Sequence, residues 1–306
     1  MNVTLRQIRA FVATAAHGRF VLAAQSVHVT QSALSMLIRD LEAEMGVRLF
    51  DRHTRMVQLT EAGREFLPVA QKTLADLEAA LTHSRERADL KRGRVSIASS
   101  TVLGATMLPW AISRFSARNP AIRMVLNDVA EQDIVQLVRS GAVDLGVGTA
   151  LDADPDIRES LLFEDRLMLL CPAGHALTSV RAAAWRDLAQ HPLIMLHAGS
   201  PLRTLIDRTL AAAGVQVVPA FEVAFSSTAI SMVAAGLGLA PLPVNAREVS
   251  SKVRVRAVAL ARPVAPRRVV VFTRRDTVPS PAAAAFQQFL ETYAAAGGHA
   301  PVAPGA

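Results

Sequence analysis

The sequence predicts an α/β protein that begins with a winged helix-turn-helix, joined by one long helix to a larger α/β region. Three observations predict this fold class. Residues 1–59 contain three short amphipathic helical patterns followed by two strand-like pieces around a basic tip. Residues 60–92 contain one long helical pattern with an apolar stripe. After residue 93, strand patterns alternate with helical patterns.

Length and composition limit the possible classes of protein. A chain of 306 residues exceeds the usual size of one domain, which predicts two or three compact units. The lone cysteine, Cys171, allows no internal disulfide and favours a reducing cytoplasm. No segment approaches the roughly 18 consecutive apolar residues of a membrane span, and Met1–Arg6 lacks the features of an export signal. We therefore expect a cytoplasmic protein without a membrane partner.

The charge of the chain indicates what type of partner it could bind, but not which part of the chain would bind that partner. The net charge of +7 is compatible with binding to a polyanion. The excess of basic residues is shared between the first 92 residues and the remainder, so charge does not locate a nucleic-acid-binding end. The densest basic run, Lys252–Arg275, is either a strand edge that faces water, which we favour, or a second DNA contact.

The three N-terminal helices are predicted at residues 4–17, 20–26 and 30–46, and together they have the pattern of a helix-turn-helix. Thr30 is an N-cap residue for the third helix, and Gly46 ends it. One face of this helix is apolar and is expected to pack on the first two helices; it consists of Leu34, Ile38, Leu41 and Met45.

The opposite face of the third helix is predicted to contact base edges. It presents Gln31, Ser32, Ser35, Met36 and Arg39. Two alternatives stay open here, because Gln31 could be a solvated polar residue and Arg39 could pair with Glu42 or Glu44. The strand-like pieces that follow suit a wing on the phosphate backbone, whose basic tip contains Arg52, His53 and Arg55.

A long helix is predicted over residues 60–92, with Thr60 as its N-cap. Its apolar stripe repeats at spacings of three and four residues, and the members assigned to dimerisation are Leu67, Leu74, Leu77 and Leu81. Because one narrow stripe cannot be buried within the small N-terminal domain, we expect it to pair with the same helix of a second subunit. The alternative is that it packs on the later domain of its own chain.

The remainder of the chain is predicted to form parallel α/β units with right-handed crossovers. The strand patterns cover residues 94–98, 122–127, 144–148, 167–171, 193–196, 217–223, 238–242, 255–260 and 268–273. The helical patterns cover residues 103–117, 133–140, 201–213, 227–235 and 282–295. The composition of residues 299–306 predicts a disordered tail.

With these elements in this order, the chain closely resembles LysR-type transcriptional regulators over nearly its whole length. The matching segments are Leu5–Phe11, Ala23-Ala24, Thr30–Ser35, Ile38–Glu42, Gly46–Arg52, Leu59–Gly63, Gly141–Val147, Pro172–Leu177 and Ala234–Pro243. Their order and spacing make the set specific.

The resemblance implies an assembly, partners and a domain plan. It implies a homodimer that assembles to a homotetramer, binds double-stranded promoter DNA, works with RNA polymerase and responds to a small-molecule coinducer. It also implies a C-terminal domain with two lobes like a type II periplasmic solute-binding protein. The boundaries are then a DNA-binding domain at 1–59, a linker helix at 60–92, and an effector-binding domain at 93–298. Lobe I would be 93–166 with 267–298, and lobe II would be 167–262.

Three positions depart from the family pattern. Met36 stands where a basic residue is common, so a polar DNA contact would become an apolar one, such as with a thymine methyl. Arg19 stands where serine is common and would add a phosphate contact. Asp128 and Val129 replace a common Glu-Gly pair. The candidate DNA-binding residues are Arg19, Thr30, Gln31, Ser32, Ser35, Met36, Arg39, Arg52, His53 and Arg55.

The effector is expected to be a small organic anion, because three hydroxyl-rich turns lie at strand-to-helix junctions, where free N–H groups favour negative charge. These turns could equally be ordinary N-caps. Arg203 is either a carboxylate clamp or a surface charge, and Phe225 and Met107 either contact the ligand or belong to the core. The candidate effector-binding residues are Ser99, Ser100, Thr101, Asp128, Thr149, Gly199, Ser200, Pro201, Arg203, Phe225 and Ser226.

Two other classes of protein are less consistent with the sequence. A solute-binding component of a transport system would suit residues 93–298 but not the helix-turn-helix. An enzyme would need a catalytic constellation, and the nearest candidate, Cys171 with His175, lies in a segment that resembles a structural turn of the family. We recognise no paired metal-ligand spacing and no phosphate-binding loop, so we expect neither catalysis nor a cofactor.

Overall fold

The computed structural model describes residues 3–51, 57–86, 93–150, 154–246 and 254–298. The chain divides into two compact units, with the main boundary between Arg87 and Ala88. Some predictions fall outside the described residues. They concern the wing-tip contacts Arg52, His53 and Arg55, the tail at 299–306 and the side chain of Leu81.

The first unit begins with α1 (Leu5–His17), α2 (Phe20–Ser26) and α3 (Gln31–Met45), as the apolar spacing predicts. Thr4 caps α1, because its hydroxyl accepts the Gln7 N–H at 3.3 Å while the Gln7 side chain accepts the Thr4 N–H at 2.6 Å. Within the described ranges, no single helix combines the length and hydropathy that crossing a bilayer requires, although α2 and α3, bent by 97° at their junction, meet those criteria when taken together.

The caps of α3 form as predicted. The Thr30 hydroxyl accepts the Ala33 N–H at 3.2 Å, and Gly46 ends the helix in the left-handed region at φ 70°. Leu34, Ile38 and Leu41 are fully buried. They join a core with residues of the neighbouring elements, among them Phe11, Ala23, Leu49 and Phe50. The burial of this face leaves the polar face of α3 outside.

The wing follows as an antiparallel pair, β1 (Phe50–Asp51) and β2 (Gln58–Leu59). Glu42 of α3 determines where the wing begins, since its Oε1 accepts the N–H groups of Leu49 and Phe50 at 2.9 and 3.2 Å. The long helix α4 (Glu61–Glu86) then starts as predicted, with the Thr60 hydroxyl accepting the Gly63 N–H at 3.0 Å.

The predicted stripe of α4 is not uniform. Leu67 packs against the core of the first unit, beside the buried Ala70, so this leucine already has apolar partners in its own chain. Leu67 is only half-buried, however, so its assignment to a dimer seam stays a prediction. Leu74 and Leu77 are half-buried in the single chain.

The second unit begins with the parallel units that the sequence predicts. Strands β3 (Gly93–Ser100), β4 (Ile122–Val129) and β5 (Leu145–Thr149) pair in the order β4-β3-β5, all parallel. The helices between them are α5 (Thr101–Ala105), α6 (Met107–Arg118) and α7 (Ile134–Arg139). The helix predicted at 103–117 is broken at Thr106, which lies between the end of α5 and the start of α6 with φ and ψ of −109° and −77°.

The sheet continues through strands that run antiparallel, which corrects the prediction of parallel units throughout. Strand β6 (Ile157–Pro172) pairs along its first part with β12 (Pro266–Arg274), and along its second part with β10 (Ala240–Pro243) and β11 (Val255–Ala261). The opposite directions follow because β6 leaves the first lobe and β12 returns to it.

The remaining elements build the second lobe and then return to the first. They are β7 (Ala182–Ala184), β8 (Ile194–Leu196), α8 (Pro201–Ala212), β9 (Phe221–Val223), α9 (Ser226–Ala234) and, in the first lobe, α10 (Pro281–Ala295). The sequence did not predict β7 or residues 157–166 of β6. It also predicted a strand over 217–223, of which only the last three residues pair. Each lobe has its own apolar core.

A buried ion pair lies where the chain crosses between the lobes. Arg267 of β12 faces Asp165 of β6 across the antiparallel ladder. Its Nε and Nη2 donate to the two carboxylate oxygens at 2.8 and 2.6 Å, and the two side chains are only 2% and 6% exposed. Arg267 belongs to the basic run predicted to face water, so that interpretation is wrong for this residue; Arg254, Arg256 and Arg268 in the same run are exposed.

Removing one partner of this pair should destabilise the second unit strongly. We expect Asp165→Asn to lower the free energy of unfolding by about 3–5 kcal/mol, because Arg267 then keeps a buried charge without its counter-ion. Urea unfolding followed by tryptophan fluorescence measures this, since both tryptophans, Trp110 and Trp185, belong to the second unit.

Glu164→Gln is the matched control. Glu164 is the exposed neighbour of Asp165 on the same strand, so we expect its loss to change stability by less than about 0.5 kcal/mol. Equal effects of the two substitutions would contradict a stabilising role for the buried pair.

Candidate DNA interface and ligand pocket

The polar face of α3 is available to a partner. Gln31, Ser32 and Arg39 are exposed, Ser35 is half-buried, and Met36 is 57% exposed. These residues occupy the first turns of the helix on the side opposite Leu34, Ile38 and Leu41. The face therefore combines short hydrogen-bonding groups with one apolar side chain.

The hydrogen bonds on this face show which side chains already have a partner within the protein and which do not. The Gln31 side chain has no hydrogen-bond partner among the described residues, whereas the Thr30 hydroxyl caps the helix and lies 3.0 Å from the Ser32 hydroxyl. Arg39 donates from Nε to the Ser35 carbonyl at 3.3 Å and makes no ion pair within the described ranges, which answers the question of pairing with Glu42 or Glu44. Arg19 is exposed at the start of α2.

The second unit contains a small pocket between its two lobes, which we call the inner pocket. Its volume is about 10 Å³, which is room for about one water. Four of the predicted effector-binding residues line it, namely Ser100, Thr101, Phe225 and Ser226. The residues that also line it are Val102, Val129, Glu131, Leu196, Leu202, Ala224, Pro243 and Arg267.

A second pocket, of about 260 Å³, is lined by three other predicted effector-binding residues, namely Thr149, Gly199 and Pro201. Its lining residues are Thr149, Ala150, Gly199, Pro201, Thr204, Leu205, Arg208, Pro266 and Arg268. The predicted effector-binding residues that line a pocket are thus divided between two pockets.

Glu131, which sequence reasoning missed, links the two lobes beside the inner pocket. Its Oε1 accepts the N–H and the hydroxyl of Thr149 at 3.1 and 2.6 Å, and its Oε2 accepts the Ser200 hydroxyl at 3.4 Å. The side chain is 7% exposed. Its position three residues after Asp128, in the turn that the family pattern marks, is the one signal that could have found it.

Donor groups for an anion are concentrated at the start of α9. No side chain caps this helix, whose N-cap residue is Phe225. Ser226 is 8% exposed, and its hydroxyl, like that of Ser100, has no hydrogen-bond partner among the described residues. Helix N-termini and free hydroxyls are the groups that bind carboxylates in proteins.

Arg203 has other partners than a ligand. Its Nη1 donates to Glu222 at 2.7 Å and to the Leu196 carbonyl at 2.9 Å, and its Nε donates to Asp207 at 2.9 Å. Burial by itself lowers the pKa of the guanidinium, but the hydrogen bonds and charges of the two carboxylates raise it above its ordinary value. Two carboxylates already neutralise this side chain, which corrects its assignment as a clamp.

Two further assignments also change, and one open question is answered. The Ser99 hydroxyl is buried and donates to the Val147 carbonyl at 3.0 Å, so it links β3 to β5 within the sheet. Asp128 lies against α5, with a carboxylate oxygen 2.3 Å from the place a Cβ at Gly104 would take, and it lines neither pocket. Met107 belongs to the core of the first lobe, whereas Phe225 is 39% exposed at the inner pocket.

Cys171 and His175 do not form a nucleophile with its base. Burial raises the pKa of the Cys171 thiol to about 11, so it is protonated at neutral pH and lacks the nucleophilic thiolate form. His175 Nδ1 accepts the Leu177 N–H at 3.2 Å. Burial, and then the nearby His191, lower the pKa of His175.

Comparison with known families matches both units. Residues 5–64 match the family described as bacterial regulatory helix-turn-helix protein, lysR family, and residues 88–295 match the LysR substrate binding domain. Between them these two matches cover most of the chain.

Individual relatives agree over almost the same length. The transcriptional regulator YfeR of Shigella flexneri, itself uncharacterised, is 32% identical over 289 residues, which are 93% of this chain and 92% of the relative. The crystal structure of CbnR, a LysR family transcriptional regulator, superposes with a TM-score of 0.71 at 21% identity, covering 95% of this chain and 99% of that one. Full-length CbnR complexed with its target DNA superposes with a TM-score of 0.68 at 20% identity, covering 94% and 99%.

Proposed function

The chain belongs to the LysR family of DNA-binding transcriptional regulators with an effector-binding domain, and from this premise we propose how it reads DNA and which ligand controls it. The family and its fold class were both expected from the sequence, and the matches confirm them. The finer statements below concern particular residues, the assembly and the ligand.

DNA is proposed to be read by the exposed face of α3. The observation that carries this is the exposed Gln31 side chain at the first turn, which has no intramolecular partner among the described residues and can contact adenine through both its amide oxygen and its amide nitrogen. Ser32 and Ser35 would add shorter polar contacts and Met36 an apolar one, while Arg19 and Arg39 would hold phosphates. The Thr30 hydroxyl is engaged in the helix cap, so Thr30 would act mainly by positioning Gln31.

Assembly is proposed to use the part of α4 beyond the first unit's core. Leu74, Leu77 and Leu81 continue the heptad spacing after Leu67, which is already packed. A dimer through this stripe, and a tetramer built from two dimers on promoter DNA with RNA polymerase in the cytoplasm, is the arrangement that the family resemblance implies. The domain boundaries 1–59, 60–92 and 93–298 belong to the same proposal.

The effector is proposed to be a small organic anion in the inner pocket. The start of α9 offers uncapped N–H groups with the buried Ser226 hydroxyl. Arg267 lines the same pocket, and its Nη1 has no hydrogen-bond partner among the described residues, since Asp165 takes Nε and Nη2. A carboxylate would satisfy all three groups.

Substitution of Gln31 should change specificity. We expect Gln31→Ala to cost about 1–3 kcal/mol at one base position, because two hydrogen bonds to a base edge are lost, whereas Arg52→Ala should weaken binding to all sequences and lower the salt slope by about 1. Gel shifts on the DNA upstream of the protein's own gene, against a randomised duplex, measure both effects.

Gln288→Ala, at an exposed position of α10 in the second unit, controls for protein quality in these gel shifts. If Gln31→Ala weakens binding to specific and random DNA equally, base recognition by Gln31 is wrong.

Charge in the α4 stripe should break the dimer. We expect Leu74→Glu with Leu81→Glu to give smaller species with lost DNA affinity, because the carboxylates enter an apolar interface that cannot solvate them. Analytical ultracentrifugation measures the assembly, and Thr73→Glu, at an exposed position of the same helix, is the control. An unchanged assembly would place the interface elsewhere.

A carboxylate that binds the folded protein should raise its stability by RT ln(1 + [L]/Kd), about 2.7 kcal/mol at a hundredfold excess over Kd. We expect Ser226→Ala to reduce this thermal shift and Ser231→Ala, at an exposed position of the same helix, to leave it unchanged. Binding of cations alone, or equal shifts in both variants, would contradict an anion at the start of α9.

A further inference from the structure

The inner pocket contains two opposite charges that are not paired with each other. Glu131 and Arg267 are the charged residues among those that line it, and they are 7% and 2% exposed. No ion pair joins them in the part of the chain that the structure describes. Arg267 is already bound to Asp165, so the three charged groups at this place carry one net negative charge.

From this arrangement we infer that the effector is a small zwitterion, an amino acid in the chemical sense, with its ammonium group at Glu131 and its carboxylate at Arg267 and the start of α9. The inference rests on the proposed function, because it takes the same pocket as the effector site. It adds the cationic group, which an effector described only as an organic anion would lack.

Glu131 selects a hydrogen-bond donor because both of its carboxylate oxygens can only accept. Oε1 has two donors from Thr149, one of them at 2.6 Å. Oε2 has one donor, the Ser200 hydroxyl, at 3.4 Å, which is long for a bond between two oxygens. A buried carboxylate with one poorly satisfied oxygen favours a cation beside it.

Arg267 selects the other end of the ligand. Its Nε and Nη2 bind Asp165, which holds the guanidinium in one orientation and leaves Nη1 without a partner among the described residues. Ser226 and the uncapped start of α9 line the same pocket. The guanidinium and the helix N–H groups only donate, and the Ser226 hydroxyl can donate as well, so together these groups suit a carboxylate better than an amine.

A ligand with only acidic groups or only a basic group would pair with only one of the two sets of polar groups in the inner pocket. A monocarboxylate or dicarboxylate would place negative charge in a pocket that already contains Glu131. A plain amine would leave Arg267 Nη1, the Ser226 hydroxyl and the α9 N–H groups unpaired in a dry site, which is unfavourable. A zwitterion pairs both sides and adds no net charge.

The same contacts couple ligand binding to the spacing of the lobes. The pocket of about 10 Å³ is too small for an amino acid, so the lobes must separate to admit one. Glu131 lies in the first lobe and Ser200 in the second, so separation of the lobes breaks the 3.4 Å hydrogen bond between them and leaves Oε2 to the ammonium. The direct bond between the lobes and the bound ligand therefore exclude one another.

The test uses full-length protein and matched sets of probes. Isothermal titration calorimetry compares the twenty L-α-amino acids with the acids that lack the amino group and with the amines that lack the carboxyl group. We expect at least one amino acid to bind ten or more times more tightly than both of its analogues. Glu131→Gln should weaken that amino acid at least tenfold and abolish the preference over the deaminated acid.

Glu131→Gln keeps an acceptor for Thr149, so its melting temperature should stay close to that of the unchanged protein. Two further variants serve as controls. Asp133→Asn removes an exposed carboxylate from the same turn and should leave affinity unchanged. Ser200→Ala removes the competing hydroxyl and should keep or tighten binding, so a tenfold loss in this variant would contradict the displacement.

The outcomes separate this inference from the proposed function. If deaminated acids bind as tightly as amino acids and Glu131→Gln has no effect, the zwitterion is wrong while an anion site stands. If only amines bind, or if no probe binds, both the zwitterion and the anion site are wrong. The gel shifts with Gln31→Ala test the DNA interface independently of all these results.

Discussion

Strand β6 is the constraint on which the second unit depends. Its 16 residues pair with β12 in the first lobe and with β10 and β11 in the second, so one continuous strand belongs to both. Strand β12 returns beside it, and the buried pair of Arg267 and Asp165 joins the two at the crossing. Each lobe has its own apolar core, apart from Val102 of α5, which packs in the core of the second lobe, so the angle of the crossing can change while most of each core keeps its packing.

This crossing also brings the ligand groups together. Arg267 comes from the crossing strand, Glu131 from a turn of the first lobe and Ser226 from a helix of the second. The affinity of a ligand that contacts all three residues would depend on the relative position of the lobes. Such a ligand can bias two arrangements only by binding one better than the other, and the Glu131 oxygen shared between Ser200 and the ligand supplies that difference.

The first unit shows how a small core orients a recognition surface. Three fully buried residues of α3, Leu34, Ile38 and Leu41, leave Gln31 outside, and Glu42 on the same helix holds the start of the wing. One helix thus positions both surfaces proposed to contact DNA. Its caps at Thr30 and Gly46 are local features, so the sequence alone was sufficient to predict its bounds.

The sequence by itself determined the helix-turn-helix, the parallel part of the sheet and the family, because these depend on apolar periodicity, caps and motifs within short segments. Tertiary structure alone decided the partners of charged side chains. Arg267 and Asp165 are 102 residues apart, and Glu131 and Ser200 are 69 apart. Arg203 was expected to be a carboxylate clamp for a ligand or a surface charge, and it is held by Glu222, which lies 19 residues away on another element. A charged residue in a sequence looks the same whether it is solvated, paired or buried, and only the assembled fold brings its counter-charge within reach.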